Sequence, residues 1–254
     1  MASTLIGRNR EYEAVVRAIQ ARRLVFLSGP AGVGKSALAR AVAAAAEPSA
    51  PVLYVPRART CAGAAAGIAA ALAAPGRTAL RTGAELRFLR RGAAARSAEI
   101  LRRRTGRERA VIFDHVDNPG PRLDALVDLW RERTTVVLIA RSEQTLGRLH
   151  RHLYDCERVP LDPLDAAAGA AFVHELALRL GLEPPSADEA ARLVRQADGI
   201  PGLLHATLRL AARRGHAGAP LAALLRRVRL EALGRERDAI IRLRIVHARR
   251  SRAC

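Results

Sequence analysis

The sequence predicts an α/β domain built on a mostly parallel five-stranded sheet, followed by a small all-helical domain. Three observations carry this expectation. Short apolar runs near 24–28, 52–55, 110–113, 136–140 and 157–160 read as buried strands separated by helical stretches. A glycine-rich loop joins the first run to a segment of strong helix formers. Beyond residue 160 the pattern is helical, which places the domains at 1–160 and 161–254.

The bulk properties fit such a chain. Its 254 residues are enough to bury a real core, and half of them are apolar. Aromatics make up only 3%, so Leu, Val, Ile and Ala must fill that core. No apolar run approaches the roughly 18 residues of a membrane helix. The opening "MASTLIGRNREYE" lacks the basic-then-apolar order of a secretion signal. Cys61, Cys156 and Cys254 are widely spaced and odd in number. They lack zinc-site pairing and fit a reducing, cytoplasmic setting.

Net charge is +19, from 43 lysines and arginines against 24 acids. Two explanations stand. Arg and Ala are over-used along the whole chain, as GC-rich coding would produce with no partner at all. Alternatively the excess serves nucleic acid or another polyanion, which requires clustered charge. Arg87 to Arg109 and the tail "GRERDAIIRLRIVHARRSRAC" are the clusters in question.

Of those 43 cations, Lys35 is the only lysine. Where either residue serves, this sequence uses arginine, so Lys35 marks a place that needs a compact charge on a thin stem. It stands in Gly29-x-x-x-x-Gly34-Lys35-Ser36, the P-loop pattern. Leu24 to Leu27 precede it as a strand, and "KSALARAVAAAAE" follows as a helix. The loop Gly29, Pro30, Ala31, Gly32, Val33, Gly34, Lys35, Ser36 and Ala37 would present inward N–H groups and a helix N-terminus to phosphates. Gly29, Gly32 and Gly34 allow close backbone approach. Lys35 would reach the β and γ phosphates, and Ser36 would hold Mg²⁺.

A P-loop needs an acid at a second strand end. "RAVIFDHVDN" supplies Asp114 after the strand Ala110 to Phe113. His115 stands where a hydrolytic site usually places a second carboxylate. Asp117 reads either as that second acid or as a cap for "PRLDALVDLW" and its preceding turn. The third strand, "TTVVLIARS", ends at Arg141 and Ser142, at the crevice edge. Arg141 reads as a γ-phosphate sensor or as a solvated arginine.

Together these residues give a family resemblance. The sequence resembles the signal-transduction ATPases with numerous domains (the STAND class) and the origin-recognition type of AAA+ ATPases. "LIGRNRE" is similar to the hhGRxxE motif through Gly7, Arg8 and Glu11. "DHVDN" and "LIARS" resemble the second acidic motif and the first sensor. "VPLDPLD" resembles the hinge into the lid, and "DGIPGLL" the GxP motif through Gly199 and Pro201. The resemblance spans roughly residues 5 to 215 and implies a three-layer α/β/α P-loop NTPase domain with a helical lid. It implies that Gly7, Arg8 and Pro201 close around the base and ribose of ATP or ADP. It also implies a nucleotide-dependent switch that self-associates. No lid arginine matches an AAA+ sensor, since Arg209 falls late, which favours the STAND branch. Arg148 and Arg151 read as trans-acting arginines or as solvated surface. A DNA-associated AAA+ ATPase, of origin-recognition or transposition-factor type, is the alternative. Residues 215–254 are too few for a winged helix plus repeats, so a minimal or truncated member, or one whose output comes from a partner chain, is expected.

Helices are expected over 61–105, 165–181, 186–197, 202–214 and 219–233.

Overall fold

The computed structural model describes residues 5–47, 49–72, 109–120, 122–213 and 219–234. The chain divides into two compact units, Met1–Asp162 and Pro163–Cys254.

In the first unit, helix α1 (Asn9–Gln20) leads into strand β1 (Leu24–Ser28), then α2 (Lys35–Ala45) and β2 (Val52–Val55). Helix α3 (Cys61–Leu72), β3 (Ala110–Phe113), α4 (Leu123–Arg131) and β4 (Thr135–Ile139) follow. A 3-10 segment, Glu143–Asp155, then leads into β5 (Cys156–Pro160). The sheet order is β2-β3-β4-β1-β5, and every neighbouring pair is parallel.

Burial on both faces explains the continuous apolar strands. Alternate residues face two separate cores. Val25, Leu27, Ile112, Val137 and Ile139 join α1 and α2, packing with Val15, Ile19, Leu38 and Val42. Leu24, Phe26, Leu53, Phe113 and Leu138 face the other way, onto α3, α4 and the 3-10 segment. The fold is therefore the expected three-layer α/β/α arrangement. The step from β1 to β2 moves outward past β4 and β3, while the steps from β3 to β4 and from β4 to β5 run the other way. Connections diverging from β1 and β4 open a crevice at their carboxyl ends.

The second unit holds α5 (Ala166–Arg179), α6 (Ala187–Gln196), α7 (Pro201–Ala211) and α8 (221–234). Val173, Leu193, Val194, Leu204, Leu208 and Leu225 form its core. Asp165 caps α5 by accepting from Ala168 N, and Ser186 caps α6 by accepting from Glu189 N. Gly199 explains half of the GxP pattern by itself. Its φ is +64°, and a Cβ there would collide with the Leu164 carbonyl. Pro201 opens α7 at a position where a missing N–H costs nothing.

Differences from expectation are small and local. Strands β4 and β5 each begin one residue early, and the lid helices α5 and α6 each lose a residue or two at both ends. The 3-10 segment was not anticipated; Gly147, at φ +52°, breaks its helical course. Of the helical expectation over 61–105, α3 is seen, and 73–105 lies outside the described residues, as do most of the arginine cluster and the tail from 235.

Candidate nucleotide site

Three chain segments meet at the crevice. The first is the loop from β1 into α2. Gly29 N donates to Arg141 O at 3.2 Å, which ties the loop to the end of β4. Gly29 has φ +144°, and a Cβ would strike Leu161 O, so only glycine fits. Gly34 takes φ +110° as the residue before α2. Unlike α5 and α6, α2 has no side-chain cap, and its first turn holds no acid. Its opening turn therefore faces the crevice with the positive end of the helix dipole.

Lys35 Nζ donates to Gly29 O at 2.6 Å and Pro30 O at 2.8 Å, folding back over its own loop. Burial pushes the lysine pKa below its ordinary value; Asp117 and Asp114 pull it upward, and Arg141 adds to the lowering.

The second segment follows β3. Asp114 is 1% exposed. Its Oδ1 accepts from His115 N at 2.8 Å and lies 3.1 Å from His115 Nδ1. Its Oδ2 accepts from the Tyr54 hydroxyl at 2.6 Å. His115 has φ +61°, a strained conformation for a residue with a side chain, and that side chain is 64% exposed. Asp117 Oδ1 accepts from Arg141 N and Thr145 Oγ1, both at 2.8 Å. It thus clamps this loop to the third segment, which follows β4. Val116 N to Ile139 O at 3.0 Å reinforces the clamp.

A pocket of about 300 Å³ opens between these segments. Ala31, Gly32, Gly34, Lys35, Ser36, Ala37, Asp114, His115, Asp117 and Arg141 line it, with Arg40 and Ile139. All four expected catalytic residues thus share one cleft. Its chemistry suits a phosphate chain: backbone amides, a lysine and two arginines, with carboxylates alongside. Ser36 and Asp114 are hard oxygen donors of the kind Mg²⁺ takes, and the buried Asp114 carboxylate is already oriented by hydrogen bonds.

These features settle the fold. The first unit has a P-loop NTPase fold. No protein-family model and no curated protein matches the sequence. Solved structures do match. A Walker-type ATPase of Pyrococcus abyssi superposes with TM-score 0.64 at 20% identity, over 94% of this chain and 76% of its own. Domain III of the replication initiation protein DnaA from Thermotoga maritima gives 0.56 at 16%, over 89% and 92%. Cdc6p from Pyrobaculum aerophilum gives 0.55 at 16%, over 84% and 63%. Similarity at these identities lies in the fold, and the neighbours are P-loop ATPases of the AAA+ kind.

Other expected residues of the P-loop NTPase domain stand outside the cleft lining. Pro30 contributes its carbonyl to Lys35, and Val33 is fully buried beneath the loop. Arg8, 7% exposed, pairs with Glu11 at 2.9 Å and donates to Val33 O at 3.3 Å and Asp162 O at 2.5 Å. It braces the P-loop against the chain leaving β5. Gly7, at φ +68°, turns the chain just before it. Pro201 belongs to the second unit. Arg151 is engaged by Asp124 at 3.0 Å and by Asp128, whereas Arg148 is exposed. Among the described residues no helix is long and apolar enough to cross a membrane.

Sequence reasoning missed Tyr54, Arg40 and Thr145. Arg40 was discoverable, since it lies one turn after Ser36 on the same helix. Tyr54 and Thr145 reach the site only through sheet order.

Proposed function

We propose that this chain is a nucleotide-dependent regulatory switch of the STAND or AAA+ type, binding ATP or ADP with Mg²⁺ and hydrolysing ATP slowly. The observation that carries it is the convergence of Lys35, Ser36 and Asp114 on one cleft, with His115 in place of a carboxylate beside Asp114. The loop amides and Lys35 bind phosphate oxygens. Ser36 and Asp114 would hold the ion, which when bound supplies charge neutralisation at the β and γ phosphates.

The proton acceptor is weak. Nδ1 of His115 lies 3.1 Å from Asp114 Oδ1, which leaves Nε2 as the ring nitrogen that can meet a water. An imidazole carries no negative charge, so it orients that water with less electrostatic help than a carboxylate. Turnover is expected well below ~1 per second, the low end of ordinary enzymes. Arg141 sits where it can report the γ-phosphate, and its backbone is held by Asp117. Self-association would follow nucleotide state.

The test is to purify the full chain, identify the nucleotide that accompanies it, and measure phosphate release with Lys35→Ala as blank. Absence of any nucleotide binding would refute the reading; turnover at tens per second would refute the switch.

A second reading is supported by the net charge of +19 and by the likeness to a replication initiation protein. In it the same ATPase acts on DNA through its arginines. DNA affinity should then fall steeply with salt, because each neutralised phosphate releases counterions. A flat salt dependence would leave the charge to coding bias.

A further inference from the structure

Asp114 is held from β2, a strand that carries none of the sequence motifs. Asp114 N donates to Val55 O at 3.0 Å, and its carbonyl accepts from Ala58 N at 2.8 Å. Tyr54, the residue before Val55, sends its hydroxyl to Asp114 Oδ2 at 2.6 Å. Tyr54 pairs in register with Ile112 and packs partly buried against the core of α1 and α2. The Arg40 guanidinium lies over its ring, 6.0 Å from the centroid. The ring is thus fixed by strand register on one side and by α2 on the other.

We propose that Tyr54 is a positioning residue for the Mg²⁺–nucleotide complex, its hydroxyl orienting Asp114, the carboxylate that would hold the ion together with Ser36. This rests on reading the cleft as a Mg²⁺–ATP site. The physical reason lies in the carboxylate. At 1% exposure Asp114 has little access to water, so the protein must satisfy both its oxygens. Oδ1 is turned toward His115, and Oδ2 is turned toward Tyr54. Two donors, one on each oxygen, set the plane of the carboxylate. Outer partners of this kind orient metal-holding groups, and their loss typically weakens metal affinity about 10–100-fold. Phenylalanine would keep the packing and remove only the hydroxyl that holds Oδ2.

The experiment is a titration of the full-length protein with a fluorescent ATP analogue, in chelator and over a range of Mg²⁺, for wild type, Tyr54→Phe, Asp114→Asn and the double variant. Thermal melts without nucleotide confirm cooperative folding in each. The wild type should gain affinity as Mg²⁺ is added. Tyr54→Phe should keep the metal-free affinity and need about tenfold more Mg²⁺ for half of the gain, the low end of an outer-partner effect. In the Asp114→Asn background Tyr54→Phe should add little, because the two act through one hydrogen bond. An unchanged Mg²⁺ midpoint in Tyr54→Phe overturns the positioning role and leaves the nucleotide site standing. Equal weakening with and without Mg²⁺ also overturns it, since that marks a role in packing alone. A wild type that ignores Mg²⁺ overturns both readings together.

Discussion

The two loops that face each other across the crevice are built on opposite plans. Residues 29–36 act through backbone: glycines at φ +144°, +79° and +110°, the start of helix α2, and one lysine that folds back onto the carbonyls of Gly29 and Pro30. Residues 114–118 act through side chains, and the two acids among them are held by partners from elsewhere. Asp114 takes Tyr54 from β2, and Asp117 takes Arg141 N and Thr145 from beyond β4. A backbone cradle tolerates no added Cβ but needs few partners. A side-chain site tolerates some substitution, yet depends on the sheet to bring its partners together. On the proposed reading, the first plan would bind phosphate and the second would decide whether the bound nucleotide reacts.

The largest effect should come from the cradle's single charge. Lys35→Ala should weaken binding of a fluorescent ATP analogue by about 10–100-fold, as expected for losing one or more charge-assisted hydrogen bonds at ~1.5–3 kcal/mol each. Lys35→Arg should also bind poorly, because the planar fork does not replace the point charge. The pH dependence has a definite sign. Burial lowers the lysine pKa in the folded protein, and phosphate binds the protonated form. Affinity should therefore fall as pH rises through a value below 10.5, the ordinary one. Wild-type affinity in both variants would remove the cradle from the site altogether.

Next comes the shape of the cradle. Gly29→Ala puts a Cβ against the Leu161 carbonyl at φ +144°. It should cost about 1–3 kcal/mol of stability, the range for strained backbone, read as a lower melting temperature. Nucleotide affinity should fall with it. Intact stability and binding would show that the loop adapts, and would blur the contrast with the acidic loop.

On the acidic side the effect moves from binding to rate. His115→Glu should raise phosphate release about tenfold, below the ~10²–10⁴ that a well-placed acid–base group contributes. Binding should change little. Fast wild-type turnover that His115→Glu abolishes would instead make the imidazole the working base, and the slow-switch reading would fail.

The smallest effect separates charge from anchoring at Asp117. Asp117→Asn keeps an oxygen for Arg141 N and Thr145, so stability should hold while phosphate release drops a fewfold. Asp117→Ala removes both bonds and should cost about 1 kcal/mol per lost hydrogen bond in a denaturant melt. If Asn and Ala behave alike in both assays, the clamp contributes nothing.

The contrast between the loops also explains what could be read in advance. The sequence by itself determined the parallel strands, from apolar runs buried on both faces. It determined the P-loop too, because strand, glycines, lysine and helix start are contiguous and their chemistry is local. Asp114 was legible as the polar end of an apolar strand. Gly199 and Pro201 were legible as a pattern, and the helix ends they form are likewise local. The tertiary structure alone decided the rest. Arg8 was expected at the base of a nucleotide; it is found bracing Val33 and Asp162, because burial of a guanidinium demands carbonyl partners. Asp117 stood between acid and cap, and β4 made it a clamp. Tyr54 carried no signal, being one apolar-looking residue in a four-residue strand. Its hydroxyl meets Asp114, 60 positions away, only because β2 lies beside β3 in register and α2 closes over both. Hydrogen bonds set by strand order join residues with no fixed spacing in the chain, so no local pattern announces them.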